Sequence, residues 1–442
     1  MPYKLFLDFG ASFTKAKGIN DLGVEIFAFR EEAPNLKVDE ISGCKSYDPL
    51  VYSELVIELY KKILSKYGYP TDLALCGQVA CYVLMDKDQK LLSDVISWQD
   101  TSSKKSIYVR EISHNPIRLG FLEDGQRPGL PLFSLISYLT NNPKILSKND
   151  VYYVPLTSFL LSKITRVSPI QIPIHISEAH ATGMFSLNRN GWLSELLPKE
   201  LRNRVKLPLV SEVPFYFKAP DSIVRFYSPI GDQQAAVHGS ELSENMYLVH
   251  IATGGQVLCR LNSFPMDYMD RFQVRPEVFS EGFLATVTHL PAGRLFNRLL
   301  RNLSSMTQSC VDWNYIEKLK LNEYKPFDYA FDLVSINDFN SDFPALSEFD
   351  QSIDTYLINF IDSFVDLYLN ALKVLPDLAT DCYVFSGGLL VNTKIVQDMF
   401  RSKLPKDAKI AFMSGDTSLA GLSKMLESTL KTCGQSSYGN LL

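Results

Sequence analysis

A strand–turn–strand unit occurs twice in the sequence, and this repeat constrains the fold more than any other feature. Each copy has an apolar strand, a turn of small residues and a second apolar strand. The predicted elements are Lys4–Asp8, residues 9–12 and Phe13–Ile19 in the first copy, and Met246–Ile251, residues 252–255 and Gln256–Leu261 in the second. A repeated supersecondary plan predicts two domains of related architecture.

The length of the chain also favours two domains, because 442 residues exceed what one ordinary core covers. We place them at residues 1–240 and 241–442. Helical patterns alternate with strands in both, which predicts α/β domains. The clearest helix is 49–67, where Val51, Leu55, Leu59 and Ile63 recur every four residues. Other predicted helices are 132–139, 155–161, 291–303, 351–375, 393–402 and 417–430, and other predicted strands are 24–29, 72–76, 79–85 and 382–385. Residues 114–131 are predicted to be a loop, and the proline-containing residues 208–229 a connection.

Charge and composition exclude several classes of function. The net charge is -5 and no long basic run is present, so a nucleic-acid partner is not expected. No apolar segment reaches the ~20 residues that a membrane helix needs, and the first residues lack the pattern of a signal peptide. We therefore expect a cytoplasmic protein without a membrane partner. The cysteines and histidines lack metal-ligand spacing, and the histidines are interpreted as structural or exposed.

Five collinear motifs resemble those of the FGGY carbohydrate kinases. Together they cover nearly the whole chain. They are residues 7–16 (LDFGASFTKA), residues 76–78 (CGQ) with 97–101 (SWQDT), residues 177–185 (SEAHATGMF), residues 230–236 (IGDQQAA), and residues 253–256 (TGGQ) with 386–388 (SGG) and Asn392. Each motif is weak alone, but the five in order identify the chain as similar to this family.

The resemblance implies a fold and a reaction. The fold would be two actin-like (ribonuclease H-like) α/β domains with a central cleft, as in the actin, Hsp70 and sugar-kinase superfamily. The reaction would be ATP-dependent phosphorylation of a primary hydroxyl of a small sugar or polyol, with Mg²⁺. A homodimer is compatible with the sequence, which does not give the oligomeric state.

The resemblance also assigns roles to individual residues. Asp232 would be the general base that accepts the proton of the attacking hydroxyl; a plain helix N-cap is the alternative role for an Asp before a helical run. Asp8 and Asp232 would hold the metal ion. Residues expected to bind the nucleotide are Gly10, Ser12, Thr14, Lys15, Thr253, Gly254, Gly255, Gly387, Gly388 and Asn392.

Gln78, Trp98 and Asp100, together with Asp232, would form the sugar pocket, because amide and carboxylate groups bind hydroxyls and an indole covers C–H surfaces. Core packing for Trp98 and a turn role for Asp100 remain alternatives. Two departures from the family pattern affect this side: Ser102 stands where Arg is frequent, and residues 79–81 read Val-Ala-Cys rather than Met-His-Gly. The absent His disfavours xylulose, whereas residues 253–257, and residues 274–276 followed by 291–294, resemble the sedoheptulose-kinase branch.

Two other functions stay open. The same departures are compatible with a catalytically weak or inactive relative that binds nucleotide or sugar as a sensor or scaffold. Retention of Asp8 and Asp232 argues against it, because binding alone requires neither. An Hsp70-like ATPase is disfavoured by the Trp98-Gln99-Asp100 segment and by the lack of a C-terminal peptide-binding domain.

Overall fold

The structure of the chain is a computed structural model that describes residues 2–107, 129–146, 150–252, 254–265, 271–279, 282–321, 330–337, 342–344, 352–413 and 415–432. Residues 114–128 of the predicted loop lie outside this range. The first compact unit contains the chain up to Gly239, Arg275–Gly282 and the segment from Asp416 onward; the second contains Ser240–Val274 and Phe283–Gly415. The two-domain division at residue 240 stays a proposal. The first unit differs from the predicted N-terminal domain because it also contains two later segments of the chain.

The strands are numbered along the described chain. They are β1 (Tyr3–Phe9), β2 (Phe13–Asn20), β3 (Glu25–Glu32), β4 (Lys37–Val38), β5 (Lys45–Tyr47), β6 (Asp72–Gly77), β7 (Tyr82–Met85), β8 (Val95–Ile96), β9 (Val151–Pro155), β10 (Ile174–His175), β11 (Phe185–Ser186), β12 (Gly191–Trp192), β13 (Val205–Lys206), β14 (Val210–Ser211), β15 (Tyr216–Lys218), β16 (Arg225–Tyr227), β17 (Ile230–Gly231), β18 (Tyr247–Ile251), β19 (Gly255–Leu261), β20 (Gln273–Pro276), β21 (Phe283–Leu290), β22 (Cys382–Ser386) and β23 (Lys409–Phe412).

The helices are numbered in the same way. They are α1 (Pro49–Tyr67), α2 (Pro131–Asn141), α3 (Pro143–Leu146), α4 (Leu156–Thr165), α5 (Ile176–His180), α6 (Lys199–Arg202), α7 (Asp232–Gly239), α8 (Gly293–Thr307), α9 (Trp313–Lys318), α10 (Leu333–Asn337), α11 (Ile353–Leu372), α12 (Gly388–Asn392), α13 (Lys394–Lys403) and α14 (Thr417–Thr432), with 3₁₀ turns at Ser102–Lys105 and Ser194–Leu196.

The main sheet of the first unit has the order β15-β16-β6-β1-β2-β3, and β17 also pairs with β6. Strands β1, β2 and β3 form an antiparallel meander, whereas β1, β16 and β17 each run parallel to β6. A second sheet of this unit has the order β13-β9-β7-β8-β5-β4. Parallel strands bring their carboxyl ends to the same edge of a sheet, which decides where the functional groups of this unit meet.

The sheet of the second unit repeats the central plan. Its order is β20-β21-β19-β18-β22-β23. Strands β18, β19 and β21 form an antiparallel meander, and β22 runs parallel to both β18 and β23. The repeated topology confirms the α/β class and the actin-like plan of both units.

Helix α1 follows the predicted limits, but its buried face differs from the predicted stripe. Asp48 caps its start by accepting the Leu50 N–H at 2.9 Å, and Gly68, at φ 77°, ends it. The buried residues are Pro49, Tyr52, Val56, Leu59 and Ile63, whereas Val51 is exposed. Residues four apart do not stay on one face of a helix with 3.6 residues per turn. The predicted stripe therefore winds around the helix, and only its Leu59 and Ile63 belong to the buried face.

The prediction that residues 208–229 are only a connection is wrong. They contain β15 and β16, which extend the main sheet beyond β6. Arg225 holds this edge, because its guanidinium donates to both oxygens of buried Asp72 at 2.6 and 2.9 Å. The prolines lie between these short strands rather than inside them, so they do not prevent pairing.

Helix α14 belongs to the first unit although it is the last described element. Leu419, Leu422, Met425 and Leu426 on its buried face pack in one cluster with Phe6 and other residues of the main sheet. The helix also crosses α7 at Gly239 and Gly421, where a Cβ on Gly421 would overlap the Ala235 carbonyl group. No side chain larger than hydrogen fits at this crossing. Among the described helices, none has both the length and the apolar character needed to cross a membrane.

Candidate functional site

The turn between β1 and β2 carries the first predicted phosphate motif. Gly10 donates its N–H to the Phe13 carbonyl at 3.1 Å, and a Cβ at Gly10 would lie 3.0 Å from that oxygen. Ser12 is exposed at the turn. Asp8 and Lys15 are cross-strand partners, so their side chains share one face of the sheet, and Lys15 Nζ lies 3.2 Å from Asp8 Oδ2.

Thr14 does not join these groups. Its cross-strand partner is Phe9, which packs in the core on the opposite face from Lys15. The Thr14 side chain is 1% exposed, and its Oγ1 has no hydrogen-bond partner among the described residues. Because side chains alternate along a strand, Thr14 and Lys15 cannot both serve one phosphate on the same face. The predicted phosphate contact of Thr14 is therefore not supported.

Asp232 follows β17 and begins α7. Strand β17 lies beside β6, with Ile230 opposite Cys76, and β6 lies beside β1, with Cys76 opposite Asp8. Asp8 and Asp232 therefore lie at the same edge of the sheet, at the ends of strands that flank β6.

Burial and neighbouring charges shift the pKa values of both carboxyl groups. Burial raises the pKa of Asp232 to about 7, and the negative charge of Asp8 adds to that shift, while the Gln233 N–H, 2.8 Å from Asp232 Oδ1, opposes it. Burial also raises the pKa of Asp8, against the opposing effects of Lys15 and the Ser418 hydroxyl. Asp232 can thus take up a proton near neutral pH, as a general base must.

A buried hydrogen-bond chain fixes the backbone just before Asp232. The Ser177 hydroxyl accepts the Gly231 N–H at 3.0 Å and lies 2.7 Å from His175 Nδ1. His175 Nε2 lies 3.1 Å from the carbonyl oxygen of Val278, which can only accept, so Nε2 carries the proton and Nδ1 accepts from Ser177. Burial lowers the pKa of His175 to about 4, so the ring is neutral. The interpretation of His175 as structural is consistent with this position.

Glu178 is a carboxyl group that the sequence analysis did not single out. It is buried, and Thr157 Oγ1 donates to its Oε1 at 3.0 Å. Burial raises the pKa of Glu178 to about 8; the Thr157 hydrogen bond opposes this shift, and the charge of Asp232 adds to it. Glu178 is therefore neutral at pH 7 and places a second carboxyl group near Asp232 without adding charge.

On the predicted sugar side, the Gln78 amide is already engaged by protein groups. Its Oε1 accepts from Trp98 Nε1 at 3.1 Å and from the Tyr47 hydroxyl at 3.3 Å, and its Nε2 donates to the Tyr52 hydroxyl at 3.0 Å. Gln78 is buried, whereas Trp98 is half-buried. The geometry gives Gln78 the role of holding the indole in place, and its direct contact with a sugar stays a prediction.

Ser102, which departs from the family pattern, hydrogen-bonds to the Asp100 carboxylate. Ser102 donates its hydroxyl to Asp100 Oδ2 at 2.7 Å and its N–H to Oδ1 at 3.3 Å, and the Lys45 N–H also reaches Oδ1, at 3.1 Å. The Asp100 side chain is 1% exposed. Ser102 therefore binds the carboxylate that the resemblance assigned to the sugar, and that assignment also stays a prediction.

In the second unit, two glycine turns lie at one edge of the sheet. His250 near the end of β18 is the partner of Ser386 at the end of β22, so the turns that follow these strands are neighbours. Gly254 has open space around its Cβ position, whereas Gly255 approaches Tyr368 and Gly387, at φ 93°, approaches Ile251. Gly388 and Asn392 begin and end α12 and are exposed. Thr253 lies outside the described residues.

The donor set at Asp8 and Asp232 is suited to Mg²⁺. That ion is commonly bound by one or two carboxylates while it keeps several of its waters. Among the described residues, no group of three or more His, Cys, Asp or Glu side chains is arranged to enclose a metal ion. Two neighbouring carboxylates fit a hydrated magnesium ion better than an ion that needs a closed cage.

Comparisons with known proteins bear on the family and the fold of the chain. The family model for the "FGGY family of carbohydrate kinases, N-terminal domain" matches residues 3–212. No curated protein sequence matches the chain. Among solved structures, the xylulose kinase from Lactobacillus acidophilus has a TM-score of 0.77 at 16% identity, covering 99% of this chain and 91% of that one. Glycerol kinase from Plasmodium falciparum, solved with ADP, has a TM-score of 0.74 at 14% identity, covering 98% and 90%.

A third structure, gluconate kinase from Lactobacillus acidophilus, has a TM-score of 0.71 at 14% identity, covering 98% of this chain and 90% of that one. Identities this low show a shared fold and leave the substrate open. The family model accounts for the N-terminal domain, and the fold likeness extends over almost the whole chain. We conclude that residues 3–212 match the N-terminal domain of the FGGY family of carbohydrate kinases, and that nearly the full length of the chain shares the fold of solved sugar kinases.

Proposed function

We propose that the chain transfers the γ-phosphoryl group of ATP to a primary hydroxyl of a small sugar or polyol, with Asp232 as general base. The observation that carries this proposal is the position of Asp8 and Asp232 at the same edge of the sheet, at the ends of two strands that flank β6. Phosphoryl transfer relies on positioning and charge neutralisation, so an enzyme of this class needs carboxylates that hold the metal ion and a carboxylate that accepts the hydroxyl proton.

The residues at this edge of the main sheet then have separate roles in the reaction. Asp232 accepts the hydroxyl proton at Oδ2, because its Oδ1 already accepts the Gln233 N–H. Lys15 provides positive charge beside the turn at Gly10, and Ser12 offers an exposed hydroxyl. Asp8 would hold Mg²⁺ together with Asp232, and the bound ion would neutralise charge on the phosphates. Gly254, Gly255, Gly387, Gly388 and Asn392 would bind the nucleotide in the second unit.

The substrate class follows from less direct arguments. The relatives named above act on xylulose, glycerol and gluconate, and the sequence leans toward sedoheptulose. The closed state of Asp100 favours a substrate that does not need this carboxylate. We therefore propose a ketose such as sedoheptulose or a pentulose, or a polyol, as acceptor in the cytoplasm.

A second candidate is a relative that binds ligands without turnover. The engagement of Asp100 by Ser102 and of Gln78 by its aromatic neighbours favours it, because both predicted sugar contacts are already occupied by protein groups. An ADP-release assay over ketoses, polyols and gluconate separates the two functions. Acceptor-dependent ADP release supports the kinase; binding of ADP and sugar by calorimetry without release supports the sensor or scaffold.

The pH dependence of the reaction gives a further prediction. A base must be ionised to act, so kcat/KM is expected to rise with pH, with a midpoint near the Asp232 pKa of about 7. Below the midpoint the rate should fall about tenfold per pH unit. A profile of kcat/KM between pH 5 and 9 measures this. A flat profile over that range would contradict the assignment of Asp232 as the base.

A further inference from the structure

Asp416, far from the β1–β2 hairpin in sequence, contacts Lys15 of that hairpin. Lys15 Nζ lies 2.6 Å from Asp416 Oδ2 and 3.2 Å from Asp8 Oδ2. The ammonium group therefore lies between two carboxylates, and the shorter contact is to Asp416. The side chains of Lys15, Asp416 and Asp8 are 31%, 23% and 6% exposed, so both ion pairs are partly shielded from water.

Ser418 links the two carboxylates. Its Oγ lies 2.7 Å from Asp8 Oδ2 and 2.6 Å from Asp416 Oδ1. A hydroxyl has one proton to donate, so it can bind only one of these oxygens at a time. Lys15 and Ser418 are thus shared between the same two acids, and a change at Asp416 must redistribute both toward Asp8.

Asp416 also has an ordinary structural task. Its Oδ1 accepts the Leu419 N–H at 3.2 Å, which caps the start of α14. Capping uses Oδ1, whereas the contact with Lys15 uses Oδ2. The cap explains why the carboxylate is oriented, but it does not require a cation at the other oxygen.

We propose that Asp416 is a positioning residue that competes with Asp8 for the Lys15 ammonium, and so weakens the Lys15–Asp8 contact and keeps the Asp8 carboxylate available for the metal ion. This inference rests on the proposed function. When Asp416 is neutral, Asp8 is the one carboxylate left to Lys15, and the existing contact between Lys15 and Asp8 becomes stronger. A metal ion must then displace that ammonium before it can bind Asp8. Mg²⁺ therefore increases the affinity for the nucleotide by a smaller factor.

Asp416→Asn separates the two tasks of this residue. Asn is as good an N-cap as Asp, so α14 keeps its cap, while the charge facing Lys15 is removed. The measurement is calorimetric: the Kd of ADP with Mg²⁺ and the Kd with EDTA. The strengthening of ADP binding by Mg²⁺ is expected to fall about fivefold or more, in the range of couplings within one salt-bridge network. Asp416→Glu is expected to restore part of it.

The control is a double-mutant cycle with Lys15→Met. Without the ammonium the two carboxylates have no shared cation to compete for, so Asp416→Asn should leave the Mg²⁺ effect unchanged in that background. A residue that only stabilises α14 would act equally in both backgrounds, and that result overturns the inference. No change from Asp416→Asn in either background overturns it as well. Should the Asn variant fail to fold, Asp416→Ser provides the same test, since Ser is also a favoured cap.

The outcome also distinguishes the inference from the proposed function. If the natural chain binds Mg²⁺-ADP and Asp416→Asn does not change the Mg²⁺ effect, only the inference fails. If the natural chain binds no ADP under either condition, the proposed function fails, and the inference fails with it.

Discussion

Replacing Asp232 by Asn is expected to lower kcat for sugar phosphorylation about 10³-fold, within the range that a positioned general base contributes. Asn has nearly the shape of Asp and can still accept the Gln233 N–H, so α7 should keep its start. What it loses is the ability to take the hydroxyl proton. The residual rate should no longer show the rise near pH 7. Steady-state kinetics with the best acceptor of the panel measure both effects.

Asp88→Asn provides the matched control. Asp88 is an exposed acid of the same unit, so its neutralisation should leave kcat within about twofold of the natural chain, as surface changes normally do. The affinity for ADP without metal should be similar in all three proteins. Near-normal turnover of the Asp232→Asn protein would mean that another group accepts the proton, and would contradict the assignment of Asp232 as the base.

Changing Gly421 to Ala is expected to destabilise the first unit by about 2 kcal/mol, the range for forced overpacking. In an exposed helix position the same change stabilises by about 1 kcal/mol, because Ala is the better helix former. At Gly421 the new methyl group would overlap the Ala235 carbonyl and lie 3.0 Å from the Gly239 nitrogen. Neither helix can yield without moving the apolar cluster that α14 shares with the main sheet. The sign of the effect therefore tests the crossing.

Urea denaturation followed by circular dichroism measures this free energy of unfolding. The reverse change at the adjacent exposed residue, Ala420→Gly, is the control and should cost about 1 kcal/mol through helix propensity alone. If Gly421→Ala raised stability, α7 and α14 could not be in the close contact described above.

Much of the fold was predictable because its signals are local. The limits of α1 were predicted from its apolar repeat, and the β1–β2 hairpin from two short apolar runs around a turn of small residues. The neighbourhood of Asp8 and Asp232 was expected from the family resemblance. It has a simple physical basis in the parallel pairing of β1 and β17 with β6.

The remaining features depend on contacts between distant parts of the chain. Nothing near Asp416 in the sequence indicates that it meets Lys15, since an Asp before a helix is normally only a cap. Ser102 could be recognised as a departure, but its closure of Asp100 required the structure. The orientation of Thr14 was foreseeable, because alternation along β2 separates it from Lys15.

The position of α14 has a consequence for protein synthesis. Translation proceeds from the N-terminus, so the sheet of the first unit leaves the ribosome long before Thr417–Thr432 has been made. During that interval the face around Phe6 lacks the apolar side chains that later cover it. Exposed apolar surface of this kind promotes aggregation of nascent chains. A fragment that stops before Asp416 is therefore expected to be recovered mainly in inclusion bodies, even though it retains the hairpin and Asp232.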